Sequence, residues 1–373
     1  MADEISVLIV DDSALMRNLI SRMVEATPGL VVAEKAMNGI FALQKIPRVN
    51  PDAIVLDLEM PEMNGIEFLK ERKKQGFDIP VIILSSLARR GAEITMEALS
   101  LGASDFVLKP SGSVSEDVTS VKDSLTGMLL AYGAQYRRSK GKKVLSPSEY
   151  PKKEAVPHPD FSGTRPHAVP AKAPEPLRKP GQIEIIAIGI STGGPDALRE
   201  VFAHIDADLK QPIVVVQHMP AGFTLEFARS LDRLCPLEVK EAEEGDLVKP
   251  GRILIAQGNK HLELEKKALA TIAHLSDAPL VSGHRPSADV LFASVAKTYQ
   301  NHALGVIMTG MGKDGAEHLG DIYREGGITL GQDEGSAVVY GMPRVAYEMG
   351  HVMEQVSLSN MAGKICSIAK QIR

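Results

Sequence analysis

Two groups of residues in this 373-residue chain have the types and the spacing to do chemistry. In the first half, Asp11, Asp12, Asp57, Ser85 and Lys109 each stand at the end of a short apolar run, and in the second half Ser191 and His218 do the same, with Asp314 in a glycine-rich turn after another such run. Three carboxylates brought together repel unless a cation sits among them. A hard divalent ion such as Mg²⁺ suits that set, because it takes few carboxylates and keeps waters and phosphate oxygens. Lys109 adds a mobile point charge for a phosphoryl group, and the Ser85 hydroxyl can hydrogen-bond that group once it arrives. The second set has different chemistry. A serine hydroxyl is a poor nucleophile until an imidazole takes its proton, and the imidazole needs a carboxylate to fix its tautomer.

Each residue alone also has a plainer reading. Asp12 or Ser13 can cap the helix that follows, Asp314 precedes a glycine and can bond its own turn, and His218 can be a core histidine. His261, His284 and His318 are other candidates for a base, but they fall in hairpin, loop or helix patterns with less reason to face Ser191. Gly189-Ile190-Ser191-Thr192-Gly193 matches G-x-S-x-G, in which a sharp turn lifts a serine above a sheet edge. The rival is a dinucleotide-binding turn, whose G-x-G-x-x-G would need glycine where Ser191 stands.

Elements to position these residues are legible around them. Apolar runs at 5–10, 30–33, 53–56, 81–84 and 105–108 have the length and the Val/Ile content of buried parallel strands. Helical patterns at 13–26, 65–75 and 91–101 lie between them, and a last helix is expected over 116–136. Five βα repeats imply a flavodoxin-like doubly wound sheet, whose chemistry gathers beyond the carboxyl ends of the strands. Residues 137–181 are rich in Pro, Lys and Ala and read as a solvated, semi-extended linker. The βα rhythm resumes with strands at 183–190, 213–217, 252–256 and 304–309 and helices at 195–205 and 287–300, while 249–273 looks more like antiparallel hairpins. The fold class is thus α/β in both halves, the second also a doubly wound parallel sheet. Expected domains are 1–125, then 126–181 as helix end and linker, then 182–373.

Bulk composition narrows the function classes. The chain is 44% hydrophobic and 24% charged with net charge −5, so no overall basic field would draw in nucleic acid or anionic lipid. No signal peptide and no bilayer-length apolar run is visible, so no membrane insertion is expected. Cys235 and Cys366 are the two cysteines and form no CxxC pair, which suits a reducing cytoplasm. A DNA-binding or nucleotide-binding output behind the first domain is the alternative, disfavoured by charge, by the α/β second half and by Ser191.

The segments VLIVDDS, IVLDLEMPEMNG, ILSS and DFVLKP resemble the response-regulator receiver family over roughly the first 125 residues. That resemblance implies phosphorylation of Asp57 by a chemotaxis histidine kinase, and Mg²⁺ held by Asp11, Asp12, Asp57 and the backbone carbonyl of Glu59. Ser85 and Phe106 take the family's switch positions beside Lys109. Phe106 stands where many members carry tyrosine, and the Lys109–Pro110 bond is often cis in such domains. GISTGGPDAL, VVQHMPAGFT, IAQGNKHLEL, HRPSADVLF, MTGMGKDGA and QDEGSAVVYGMP resemble the chemotaxis protein-glutamate methylesterase family from about residue 183 nearly to the end. By that resemblance Ser191 is the nucleophile, His218 the base and Asp314 its orienter. The Met311 N–H helps form an oxyanion hole, and Thr192 touches the imidazole or the oxyanion. Gln257 replaces the proline usual in its turn, which leaves that loop's shape open. The implied substrate is a γ-glutamyl methyl ester on chemoreceptors, with glutamine deamidated by the same route and no cofactor for the hydrolysis. The resemblance further implies that the unphosphorylated receiver restricts access to Ser191.

Overall fold

The computed structural model describes residues 4–109, 115–144 and 175–371. The chain divides into two compact units, Met1–Thr164 and Arg165–Arg373. The Lys109–Pro110 bond and most of 137–181 fall outside the described residues.

In the first unit the order is β1 (Ile5–Val10), α1 (Ala14–Glu25), β2 (Leu30–Ala36), α2 (Gly39–Val49), β3 (Ala53–Asp57), α3 (Gly65–Lys74), β4 (Val81–Ser85), α4 (Arg89–Ser100), β5 (Asp105–Leu108) and α5 (Ser115–Ser139). The strands form one sheet in the order β2-β1-β3-β4-β5, parallel throughout. Every residue of β3 and β4 is buried, as helices on both faces require. Local chemistry starts the helices. Ser13 and Asn38 accept the N–H of Met16 and Phe41, and Asn64 and Glu67 form a reciprocal capping box.

Helix α5 runs three residues past the expected end. Its last turn is pinned, because Arg137 Nη1 donates to Asp52 Oδ2 at 2.9 Å and to the Glu4 carbonyl at 2.9 Å. Lys142 Nζ reaches the other oxygen of Asp52 at 2.9 Å, and Ser6 donates through both its N–H and its hydroxyl at 3.0 Å. Asp52 is 1% exposed. Burial alone would raise its pKa, but the bonds from Lys142, Ser6 and Arg137 outweigh burial and hold it below the usual value.

The second unit contains β6 (Ile185–Ile190), α6 (Gly194–Ala203), β7 (Ile213–Gln217), α7 (Phe223–Asp232), β8 (Glu238–Glu241), β9 (Arg252–Ile255), β10 (His261–Lys266), β11 (Thr271–Ser276), α8 (Ala288–Tyr299), β12 (Ala303–Ile307), α9 (Ala316–Arg324), β13 (Ile328–Gln332), α10 (Met342–Glu348), β14 (Glu354–Val356) and α11 (Leu358–Ala369). Seven strands form a sheet in the order β14-β13-β12-β6-β7-β9-β8, again parallel. Of the 249–273 region, β9 joins this sheet, while β10 begins an antiparallel hairpin with β11. The division follows from burial: RILI is closed in by strands on both sides, whereas HLELEK alternates because one face packs towards α8. The interior strand β13 and the strands β8 and β14 are absent from the sequence expectation; β8 and β14 are the two edges. Their charged sequences EVKE and EQV suit strands with one open side.

Asp52→Ala is expected to destabilise the first unit by about 3 kcal/mol at neutral pH, since it strands the buried Arg137 charge. The folded pKa of Asp52 is depressed, so its stabilisation is full above the unfolded value of about 4 and is lost as pH falls through the lower folded one. Melting curves of wild type and variant from pH 7 to pH 2 check this. The gap between them should close in acid, and a gap that stays constant contradicts it.

Candidate functional site

Ser191 follows β6, His218 follows β7 and Asp314 lies beyond β12. Because β12, β6 and β7 are adjacent in the sheet, three residues far apart in sequence reach one edge. His218 Nδ1 lies 3.0 Å from Ser191 Oγ, and Nε2 lies 2.7 Å from Asp314 Oδ2. Burial alone would raise the pKa of Asp314, but the bonds from His218, Ser287 and Ala288 outweigh it and bring the value down to about 2. An ionised carboxylate only accepts, so His218 Nε2–H donates to it and Nδ1 keeps its lone pair for the serine proton.

Asp314 is 1% exposed and sits on the N-terminus of α8. Its Oδ1 accepts from the Ser287 hydroxyl at 2.6 Å and the Asp289 N–H at 3.3 Å, and its Oδ2 accepts from the Ala288 N–H at 2.6 Å. Free N–H groups at a helix start favour negative charge. Asp289 next door goes the other way, its carboxyl pushed up chiefly by burial, with the Asp314 charge adding.

Gly193 has φ 81°, the left-handed conformation that turns the chain from Ser191 into α6. The Gln217 amide, 2% exposed, donates to the carbonyls of Ser191 and His218 at 3.0 and 3.3 Å and ties the two turns together. Met311 follows Gly310, where a Cβ would meet Ser191 Cβ at 2.9 Å, so the absent side chain lets this loop pass close to the serine. Thr192 is buried next to Ser191, and its carbonyl accepts from the Thr309 hydroxyl at 2.9 Å. Its own hydroxyl makes no hydrogen bond to His218 among the described residues. The Gln257 loop closes as a turn, with the Lys260 N–H on the Gln257 carbonyl at 3.2 Å and Asn259 at φ 65°.

Sequence reasoning does not single out Gln217 or Ser287, and names His284 only as an alternative base. Ser287 had a signal, a serine directly before the helix pattern of α8, where its hydroxyl accepts the Val290 N–H. His284 falls in a loop pattern in the sequence, yet its ring stacks on His218 with centroids 3.8 Å apart and planes 12° apart. His261 instead bonds the Pro279 carbonyl, and His318 bonds Asp321; neither is bonded to Ser191.

In the first unit, ligand oxygens of Asp11, Asp12 and Asp57 lie within 4.8 Å of one another. Lys109 Nζ donates to Asp57 Oδ2 at 2.6 Å and lies 3.6 Å from Asp11 Oδ2. Burial would lower the Lys109 pKa, but Asp57 and Asp11 outweigh it and hold the ammonium above its usual value. Asp11 is pushed up by burial and by Asp57, and its buried Oδ2 has no hydrogen-bond partner. An unsatisfied carboxylate oxygen facing two more carboxylates suits a hard cation. Glu59 is exposed and donates its N–H to Asp57 Oδ1 at 3.2 Å. The Ser85 hydroxyl turns away, donating to the Ser86 carbonyl at 3.2 Å with Thr95 Oγ1 of α4 at 2.7 Å. Phe106 is buried.

Ser287→Ala removes both a helix cap and a donor to Asp314. It should cost about 1 kcal/mol of stability and raise the Asp314 pKa, because the lost bond favoured the charged form. Thermal melting and carboxyl-carbon NMR titration check the two effects; an unmoved Asp314 titration would contradict the second.

Residues 186–365 match the CheB methylesterase family model, and residues 7–116 match the response regulator receiver domain model. A protein from Treponema denticola is 63% identical over 372 residues, covering 99% of each chain. Another from Treponema pallidum is 52% identical, covering 97% of this chain and 96% of its own. A third from Koribacter versatilis is 44% identical, covering 95% and 93%. All three are named protein-glutamate methylesterase/protein-glutamine glutaminase, the third with the suffix 2. Among the described residues no helix is long and apolar enough to cross a membrane. Relatives this similar along their whole length, with a receiver before the hydrolase segment, leave one conclusion: the chain belongs to the CheB methylesterase family.

Proposed function

We propose that this chain is a phosphorylation-controlled serine hydrolase that removes methyl groups from γ-glutamyl methyl esters on chemoreceptors and deamidates glutamine at the same site. The observation that carries the proposal is the line Ser191 Oγ, His218 Nδ1 and Nε2, Asp314 Oδ2, with contacts of 3.0 and 2.7 Å.

Ser191 Oγ attacks the ester carbonyl while His218 Nδ1 takes the hydroxyl proton. Asp314 stays ionised and stabilises the imidazolium. The negative oxygen of the tetrahedral intermediate is met by the Met311 N–H, with Thr192 alongside; one such donor contributes roughly 3 kcal/mol in comparable sites. His218 then returns its proton to the leaving oxygen, methanol departs, and water attacks the acyl-serine by the same route to leave glutamate. With a glutamine substrate the leaving group is ammonia.

In the receiver, Asp57 accepts a phosphoryl group from a chemotaxis histidine kinase. Asp11, Asp12, Asp57 and the Glu59 carbonyl are the ligands proposed for Mg²⁺, which when bound offsets the charge of carboxylates and phosphoryl oxygens. Lys109 pairs with the phosphoryl group, and Ser85 turns towards it from its present contacts. Control of the hydrolase follows from the difference in stabilisation that this group makes between resting and active states. The alternative of a DNA-binding or nucleotide-binding output has no support in the second unit.

Ser191→Ala should release no methanol from methyl-labelled receptor membranes, and Asp314→Asn should retain a residue of activity because it disturbs tautomer and orientation. Near-normal release by the serine variant would defeat the reading. Asp57→Asn should take no stable label from acetyl phosphate with Mg²⁺, and its hydrolysis should no longer respond to that donor. Labelling equal to wild type would overturn the receiver half.

A further inference from the structure

We infer that His284 is a positioning residue for the hydrolysis, its ring lying flat on His218 and holding that imidazole in the one plane that serves Ser191 and Asp314 together. The inference rests on the roles proposed above for Ser191, His218 and Asp314.

The two hydrogen bonds of His218 leave one motion of its ring open. They act at opposite ring nitrogens, 3.0 Å to Ser191 and 2.7 Å to Asp314. Two such bonds define a line through the ring but do not stop the ring from tilting about that line. Tilting swings the Nδ1 lone pair off the serine hydroxyl while Nε2 stays near its carboxylate. The Cβ–Cγ bond hinders that tilt but leaves side-chain torsion to permit some of it, and pressure on the ring face opposes what remains; His284 supplies that face at 3.8 Å and 12°. Among the described residues the His284 ring nitrogens make no hydrogen bond, so its contribution is its flat face rather than a proton relay. Burial, with His218 beside it, pushes the His284 pKa down to about 4, so near neutrality the stack presents an uncharged ring to an imidazole that becomes cationic during the reaction. A neutral aromatic face attracts a cation.

The backbone around His284 is built to hold it there. Its N–H and carbonyl exchange bonds with Val281 at 2.9 and 3.1 Å, closing a two-residue turn with Ser282 at φ 52° and Gly283 at φ 81°. Left-handed backbone at both centres is the tight hairpin geometry, and at Ser282 it is held against its cost. Next door, Arg285 Nη1 donates to the carbonyls of Asp277 and Ala278 at 2.8 and 2.9 Å, and Nε and Nη2 both reach Asn259 Oδ1. Three residues on, Ser287 and the start of α8 grip Asp314. One rigid segment, 281–289, thus presses on the base and holds its carboxylate.

The test compares His284→Phe, which keeps a flat uncharged face, with His284→Gln, which is polar and of similar length but has none. Full-length protein is used, with kcat expressed per serine titrated by a phosphonate and thermal midpoints recorded alongside. Phe should keep at least half of wild-type kcat. Gln should lose about tenfold to a hundredfold in kcat, the range expected for a misplaced catalytic group, with KM and the midpoint little changed. Equal kcat for Phe and Gln, whether both normal or both low, overturns the inference. Ser191→Ala runs in parallel. If that variant still hydrolyses ester, the triad reading has failed rather than the stacking; if it is dead while Gln is normal, only the stacking has failed.

Discussion

A buried carboxylate has to be held by something, and in the hydrolase unit the holding of Asp314 organises the rest. Its two oxygens take hydrogen bonds from His218, the Ser287 hydroxyl and the first N–H groups of α8. Those donors outweigh the desolvation that would otherwise neutralise it. Once Asp314 is fixed as an anion, the tautomer of His218 is fixed, and with it the nitrogen that faces Ser191. Helix α8 is fixed as well, because its free N–H groups meet that charge, and α8 in turn packs Leu291, Phe292 and Val295 into the core of the unit. The Ser191–His218–Asp314 geometry and core packing therefore share one anchor.

The receiver unit handles buried charge in the opposite way. Asp11, Asp12 and Asp57 face one another with Lys109 as the counter-charge, and one oxygen of Asp11 has no hydrogen-bond partner. Burial and the neighbouring Asp57 push Asp11 up. Such a site is short of positive charge and suits a hard cation, whereas every oxygen of Asp314 has its donors. At the other end of the same sheet Asp52, Arg137 and Lys142 form a saturated cluster that fastens α5 to β1 and β3. The Asp52 charge is matched by its donors, and the Asp11 charge is not.

Both units are parallel sheets with their reactive residues beyond the carboxyl ends of the strands. In the receiver β1 and β3 are neighbours, so Asp11, Asp12 and Asp57 meet directly, and Lys109 arrives across β4. In the hydrolase β6 lies between β12 and β7, so Ser191 stands between the strand that leads to His218 and the loop that carries Asp314. Lids of side chain and backbone then finish each arrangement: Gln217 joins the two turns from below, and His284 covers the face of His218.

The amino-acid sequence alone determined the βα rhythm of both units and the chemical types at the strand ends. Runs such as AIVL and IVVV are apolar because their strands are buried on both faces, so a serine, histidine, aspartate or lysine at or just beyond the end of one is conspicuous. Ser191, His218, Asp314, Asp57 and Lys109 were legible for that reason. Tertiary structure decided which ends meet. Strand β12 pairs with β6 across more than a hundred residues, a choice made by packing and invisible to local periodicity. It also decided the short edge strands β8 and β14, whose charged residues satisfy only one covered side. His284 belongs to this second class. A histidine in a turn carries no local sign of what its ring will press against, and only the folding of 281–289 over β7 laid it on His218.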